Sequence, residues 1–128
     1  MKRRRAATDR LAREVDNHFK VQARRKGTAL ILVVGGELDL ASSGELEREV
    51  RLALDSDAAS VIVDLREVEF IDSTGLGVLV KAHQQAGEAG REFALVRGAS
   101  QVQRLLSLTG LAERLTMADT PEEVIGDA

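Results

Sequence analysis

The spacing of hydrophobic residues along the chain predicts strands that alternate with helices. Phe19, Val21 and Ala23 alternate with polar residues, which predicts a β-strand with one solvated face. The following segment, ALILVVGGELD, is a continuous apolar run that is typical of a buried central strand. Two adjacent glycines, Gly35 and Gly36, predict that this strand ends there in a turn.

The spacing then changes to the period of a helix. One helical stripe is predicted from four apolar residues, which are Leu46, Val50, Ala53 and Leu54. Further strands are predicted at SVIVDL, EFALV and RLTMA, and further helices at STGLGVLVKAHQQAGEAG, SQVQRLLSLTG and TPEEVIG. The predicted order is β-β-α-β-α-β-α-β-α. Strands and helices that alternate in this way predict an α/β domain whose helices pack against a sheet.

Length and composition agree with a single globular domain. The chain has 128 residues, of which 44% are hydrophobic and 30% charged, so it can bury a core without disulfides. Its apolar runs are too short to cross a bilayer, and no secretory signal is visible, so we expect a cytoplasmic protein. The absence of cysteine excludes disulfides and thiol catalysis, and two histidines argue against a zinc site.

The net charge of -3 hides an asymmetry between the start of the chain and the rest. Residues 1–26 contain ten Lys or Arg against three Asp or Glu, whereas residues 27–128 contain eight against eighteen. An acidic body with three Phe and no Trp or Tyr argues against direct nucleic-acid binding. Two interpretations of the basic arm stay open: a solvated N-terminal extension, or an electrostatic contact with an acidic partner.

Three of the four predicted helices open with a capping box, formed by Ser42 with Glu45, Ser100 with Gln103, and Thr120 with Glu123. The helix at Ser73 is the exception, because Leu76 stands three residues on and Gly75 and Gly77 occupy the first turn. Glycine inside a helix costs about 0.5–1 kcal/mol relative to alanine, so this start is predicted to be weak. Two alternatives follow. The glycines could expose backbone N–H groups and the hydroxyls of Ser73 and Thr74 to a close partner or an anion, or Ser73 could cap the helix while the glycines allow close strand packing.

Enzyme interpretations of this segment fail on spacing. A nucleophile elbow needs glycine two residues before the serine, where Ile71 stands, and His83 lies about 15 Å along the helix axis. His83 is expected to fill or border the packed face of its helix. The segment DSTG has one residue too many for an aspartic-protease loop, and no lysine completes a P-loop. We therefore assign no catalytic residue, and interpret Ser73 as a substrate of modification.

Three motifs carry a resemblance to the STAS domain family, in particular its stand-alone anti-sigma factor antagonists. The motifs are GELDLASS at residues 36–43, VIVDLREVEFIDSTGLGVLV at 61–80 and LLSLTGL at 105–111. The resemblance implies an α/β fold, a STAS-like single domain with a mixed β-sheet and about four helices. It places this domain at residues 18–126, after a basic N-terminal extension at 1–17.

The resemblance also implies a partner switch. The unphosphorylated antagonist binds an anti-sigma factor that is also a serine kinase and so releases the sigma factor. The kinase then phosphorylates Ser73, with Thr74 as the poorer acceptor, and the complex separates until a serine phosphatase restores the first state. The partner-binding residues implied are Glu37, Asp39, Asp72, Ser73, Thr74, Gly75, Leu76 and Gly77.

In this interpretation the protein is not an enzyme and needs neither metal nor cofactor, since ATP belongs to the kinase. No direct contact with nucleic acid or membrane is expected, and the protein is expected to be a monomer or weak dimer. Two alternative functions stay open: a STAS scaffold subunit of a signalling or transport complex, and a regulatory domain that binds nucleotide at the glycine-rich helix start.

Overall fold

The computed structural model describes residues 18–125, in which a five-stranded sheet is combined with five helices. The predicted basic extension, residues 1–17, lies outside the described residues, as does residue 126. The elements are β1 (Phe19–Lys26), β2 (Ala29–Leu38), α1 (Ser43–Asp55), β3 (Ser60–Ile71), α2 (Ser73–Glu88), β4 (Glu92–Val96), α3 (Ser100–Leu108), α4 (Leu111–Arg114), β5 (Met117–Ala118) and α5 (Pro121–Ile125).

The sheet is mixed, as predicted. Its strand order is β1-β2-β3-β4-β5, with β1 antiparallel to β2 and the remaining neighbours parallel. Because β2 and β3 are parallel, their carboxyl ends lie at the same edge of the sheet. The turn after β2 and the start of α2 are therefore neighbours.

Most of the core lies on one face of the sheet, under α1, α2 and α3. The predicted stripe of α1 is confirmed, since Leu46, Val50 and Ala53 are buried in this core and Leu54 packs partly buried against it. The opposite face carries a smaller cluster, which α5 covers with Val124 and Ile125; its buried members are Ala29, Ile31, Ile62 and Val96.

The two glycines of β2 do not form the predicted turn. β2 continues to Leu38, and its pairing with β3 shifts register between Val33 and Gly35 and again between Gly36 and Glu37. Gly36 has a φ of 87°, and a Cβ there would collide with the carbonyl oxygen of His18. The pair therefore forms an irregularity within a continuous strand, and this carries Glu37 to the edge of the sheet where α2 begins.

The chain after β4 differs from the prediction by one short helix. The segment predicted as a single helix ends at Leu108, and Gly110, with a φ of 78°, leads into the single-turn helix α4. The capping box expected at Ser100 is also displaced. Ala99 is the N-cap of α3, and Gln103 Oε1 accepts a hydrogen bond from the backbone N–H of Gly98 at 2.8 Å.

At α5 the capping pair forms largely as predicted. Thr120 Oγ1 accepts from the backbone N–H of Glu123 at 3.4 Å. Glu123 Oε1 in turn accepts from the backbone N–H of Asp119 at 3.0 Å, one residue before the expected position. These bonds and Pro121 at the first helical position fix the start of α5.

Candidate functional site

Helix α2 is capped by Asp72. The backbone of Asp72 is extended, and its Oδ1 accepts a hydrogen bond from the backbone N–H of Gly75 at 2.9 Å. The expectation that this start lacks a capping side chain was therefore wrong, because it placed the helix boundary at Ser73, and Ser73 is not the cap. Ser73 is instead the first residue of the helix and is exposed, while Thr74 is half-buried. The hydroxyl of Ser73 is thus not needed for the cap.

The two glycines of this helix start have different environments. A Cβ on Gly75 would lie 2.5 Å from the carbonyl oxygen of Leu38 and 2.9 Å from Cγ1 of Ile71. A Cβ on Gly77 would meet nothing within 4 Å. Gly75 therefore allows close packing of the helix against the strands, which was one of the two alternatives. Gly77 leaves the surface of the helix start open, as the alternative of a close partner or anion requires.

The turn after β2 lies directly against this helix start. Leu38 is paired with Ile71, and the backbone N–H of Asp72 donates to the carbonyl of Leu38 at 3.2 Å. This places Asp39 and Leu40, the next residues after Leu38, beside the first turn of α2. Residues from two of the three sequence motifs consequently meet at one edge of the sheet.

The hydroxyl of Ser42 holds the same turn together. Ser42 Oγ donates a hydrogen bond to the carbonyl of Glu37 at 2.7 Å. The same oxygen accepts a hydrogen bond from the backbone N–H of Asp39 at 2.9 Å. Asp39 Oδ1 accepts from the backbone N–H groups of Ala41 at 3.1 Å and Ser42 at 3.2 Å. Ser42 is the N-cap of α1, but its side chain makes no capping bond, so the box predicted with Glu45 does not form. The hydroxyl fixes the shape of the turn instead.

The structure brings the eight predicted partner-binding residues to this edge, at different depths. Glu37, Asp39, Asp72 and Thr74 are half-buried, and Ser73 and Gly77 are exposed. Gly75 and Leu76 lie beneath the surface, and Leu76 is only 7% exposed within the core. We call the half-buried and exposed members the acidic edge, which comprises Glu37, Asp39, Asp72, Ser73, Thr74 and Gly77.

Two apolar residues at this edge were not predicted from the sequence. Leu40 is 76% exposed in the turn after β2, and Phe70 is 49% exposed two residues before Asp72. Phe70 is the register partner of Glu37. The only sequence signal for Leu40 is an apolar residue inside an otherwise polar turn. Single exposed apolar residues are common on protein surfaces, so it is the position of these two residues, not their exposure alone, that makes them candidate contact residues.

An ion pair on the side of α2 that faces α1 lies outside the acidic edge. Lys81 Nζ contacts Glu47 Oε2 at 2.7 Å and joins α2 to α1. The hydrogen bond and the charge of Lys81 hold the pKa of Glu47 below its usual range. Lys81 is eight residues, or about 12 Å of helix, beyond Ser73. Within residues 18–125, Glu37, Asp39 and Asp72 form no ion pair with a basic side chain, so their carboxylates leave the edge negatively charged.

Other kinds of site find little support in residues 18–125. No group of three or more His, Cys, Asp or Glu side chains in this range is arranged to hold a metal ion. None of its helices has the length and apolar character needed to span a bilayer.

Comparison with known proteins identifies the family. Residues 20–124 match the model of the STAS domain. The anti-sigma-F factor antagonist RsfB of Mycobacterium tuberculosis is 27% identical over 95 residues, which cover 74% of this chain and 77% of that protein. An anti-sigma factor antagonist from Mycobacterium paratuberculosis has a similar structure, with a TM-score of 0.76, 22% identity, and coverage of 84% of this chain and 91% of that one.

The cell fate determinant SpoIIAA of Bacillus, in its phosphorylated form, shares the fold with a TM-score of 0.63 and 18% identity, over 84% of this chain and 96% of that one. The family model covers most of the chain, and the structural neighbours have the same mixed sheet with helices packed on it. The chain therefore belongs to the STAS domain family, as its three sequence motifs had indicated.

Proposed function

We propose that this protein is an anti-sigma factor antagonist controlled by phosphorylation of Ser73. When Ser73 is unmodified, the acidic edge binds an anti-sigma factor that is also a serine kinase, and the sigma factor is released. The observation that carries the proposal is the exposed hydroxyl of Ser73 at the first position of α2, directly after the residue that caps the helix. The similarity to the antagonist RsfB and to SpoIIAA, which occurs in a phosphorylated form, supports the same assignment.

The fold is expected to tolerate a phosphate at Ser73. Phosphorylation adds about -1.5 to -2 charge, and the N-terminus of a helix favours negative charge. The bond from Gly75 N–H to Asp72 does not involve Ser73, so the cap is retained. Phosphorylation should therefore change the surface charge rather than unfold α2.

The same phosphate is expected to prevent binding of the partner. It appears beside the carboxylate of Asp72, at an edge that also carries Glu37 and Asp39. A docked partner would have to remove water from this concentrated negative charge, at a high cost in free energy. Leu40 and Phe70 supply the apolar contact area that the unmodified edge offers.

The remaining parts of the switch lie in the partners. The kinase supplies ATP and a serine phosphatase removes the phosphate, so this chain requires no cofactor or catalytic residue of its own. A cytoplasmic location, a monomer or weak dimer, and the absence of nucleic-acid contacts stay predictions from the sequence.

Intact-mass spectrometry tests the proposal. The full chain is incubated with ATP and each candidate anti-sigma factor kinase, and one added phosphate is expected. Ser73→Ala should abolish the addition, whereas the matched control Thr74→Ala should retain it. A phosphate mapped to another residue, or undiminished in Ser73→Ala, would reject the assignment.

The two alternatives have distinct signatures in the same preparation. A constitutive oligomer, or stoichiometric copurification with a transporter, would favour a scaffold subunit. Saturable nucleotide binding that Gly77→Gln abolishes would favour a nucleotide-binding domain at the helix start. A Cβ on Gly77 meets nothing within 4 Å, so this substitution should leave the packing of α2 intact.

A further inference from the structure

A cavity lies near the C-terminal end of α2, away from Ser73. Its volume is 630 Å³, within the usual range for small-molecule sites. The second half of α2, the start of β4, β5 and α5 surround it. It shares no lining residue with the acidic edge, and the proposed partner switch does not use it.

The wall of this cavity includes a part of β4 whose β5 side has no neighbouring strand among residues 18–125. β5 pairs only with Leu95 and Val96, so β4 extends beyond it at Phe93. The backbone N–H of Leu95 donates towards β5, to Thr116 at 2.9 Å, whereas that of Glu92 donates to Ala59 on the β3 side at 3.1 Å. Since backbone groups alternate in direction along a strand, the N–H and C=O of Phe93 face the β5 side. A donor and an acceptor are thus available side by side at the cavity.

The ring of His83 forms part of the wall of the same cavity. It lies edge-on to Phe93, with ring centroids 6.1 Å apart and an interplanar angle of 61°. Its Nδ1 is buried, so this nitrogen does not open onto the cavity. His83 therefore contributes an aromatic wall rather than a polar contact.

The rest of the lining indicates the chemistry of such a ligand. Phe93, Met117 and Val124 provide an apolar surface suited to a flat ring. Glu92 and Glu123 contribute two carboxylates, while the single guanidinium, Arg91, already donates to the carbonyl of Ala58. The excess of negative charge disfavours an anion.

We propose that this cavity is a binding site for a small, flat heteroaromatic compound that is neutral or cationic. The backbone donor and acceptor of Phe93 pair with adjacent polar atoms on the edge of the ring, and the imidazole of His83 contacts it as part of the cavity wall. This site is independent of the proposed partner switch, so either can fail without the other.

The experiment is a titration of the full-length, ¹⁵N-labelled protein with 2-aminobenzimidazole, at a pH at which the ring is neutral, so that its amino group donates and the adjacent ring nitrogen accepts. Saturable shifts of the Phe93 amide resonance are expected. The anionic benzimidazole-2-carboxylate is expected to bind at least about tenfold more weakly. Both measurements use the wild-type chain. Absence of saturable shifts at Phe93, or equal affinity for the two probes, would overturn the proposal.

A matched pair of variants tests the role of His83. His83→Ala removes this ring from the cavity wall and should weaken the probe at least about fivefold. His18→Ala makes the same substitution at the only other histidine, outside the cavity, and should change nothing. Equal affinities in the two variants would contradict a contact with His83. Thr116→Trp enlarges an exposed residue at the cavity rim, so it should obstruct the cavity and also weaken binding of the probe.

Discussion

The carboxylate of Asp72 accepts a hydrogen bond from the backbone N–H of Gly75, with 2.9 Å between Oδ1 and N. This bond closes the first turn of α2 around Ser73, which takes no part in it. The residue that fixes the helix start and the residue proposed to be phosphorylated are therefore neighbours with separate roles. Charge can be added at Ser73 while the cap stays in place.

Removal of the cap should lower stability without affecting the sheet. Asp72→Ala is expected to reduce the free energy of unfolding by about 0.5–2 kcal/mol, and Asp72→Asn by less because its side-chain oxygen can still accept the bond. Urea unfolding followed by circular dichroism measures both. Asp55→Ala, at the exposed last residue of α1, is the control. A loss in Asp72→Ala no larger than in this control would contradict the capping role.

The two glycines of α2 should respond oppositely to alanine. Gly75→Ala places a methyl group 2.5 Å from the carbonyl oxygen of Leu38, so backbone must move and a loss of about 1–3 kcal/mol is expected. Gly77→Ala meets open space and should be neutral or stabilising by up to about 1 kcal/mol. Urea unfolding of both variants gives the comparison. Changes of the same sign and size would show that Gly75 is not a packing residue.

The exposed side chain of Leu40, next to the acidic edge, should matter for binding but not for folding. Leu40→Ser is expected to weaken the complex with the anti-sigma factor kinase at least about tenfold, because an exposed anchor is lost from the interface. Leu108→Ser is the matched control, since Leu108 is 73% exposed and Leu40 76%. Calorimetric titration measures both affinities, and equal losses in the two variants would remove Leu40 from the interface. This prediction rests on the proposed function.

The domain boundary predicts that the basic extension is dispensable for folding. Deletion of residues 1–16 should leave the melting temperature within about 8 °C of that of the full chain, the upper end of what roughly 1 kcal/mol does to a domain near this size. The physical reason is that residues within 19–125 form a buried cluster on each face of the sheet. A larger decrease, measured by differential scanning calorimetry, would place the extension in the core packing.

The fold was predictable where the signal was periodic. The apolar stripe of α1 and the continuous apolar run of β2 each extend over several residues, so the burial of these residues follows directly from the pattern. Gly35 and Gly36 were misread because glycine suits both a turn and a strand irregularity, and the pairing of β2 with β3 decides between them. The single turn of α4 was missed because four residues are too few to show a helical period.

The site was located from the sequence, but its internal geometry was not. Asp72 and Ser73 are both good N-cap residue types, and the extended backbone at the end of β3 selects Asp72. The exposure of Leu40 depends on how its turn packs beside α2, which no local pattern contains. The same holds for the unpaired backbone at Phe93, since it follows from the short length of β5.

The central claim is that charge at Ser73 blocks the partner while the fold persists, and one pair of variants tests it. Ser73→Asp puts a carboxylate in the first turn of α2, where the helix dipole stabilises it by about 0.3–1 kcal/mol, so stability should hold or rise slightly. Its affinity for the kinase should nevertheless fall at least about tenfold, or 1.4 kcal/mol, because the new charge must lose water beside Asp72. Ser73→Ala should still bind.

The measurement is calorimetric titration of the kinase with the wild type, Ser73→Asp and Ser73→Ala, accompanied by a thermal melt of each. The account predicts a folded Ser73→Asp that binds at least about tenfold more weakly, and a Ser73→Ala that binds like the wild type. Wild-type affinity in Ser73→Asp, or a loss of binding that merely follows its unfolding, would contradict electrostatic control at this helix start.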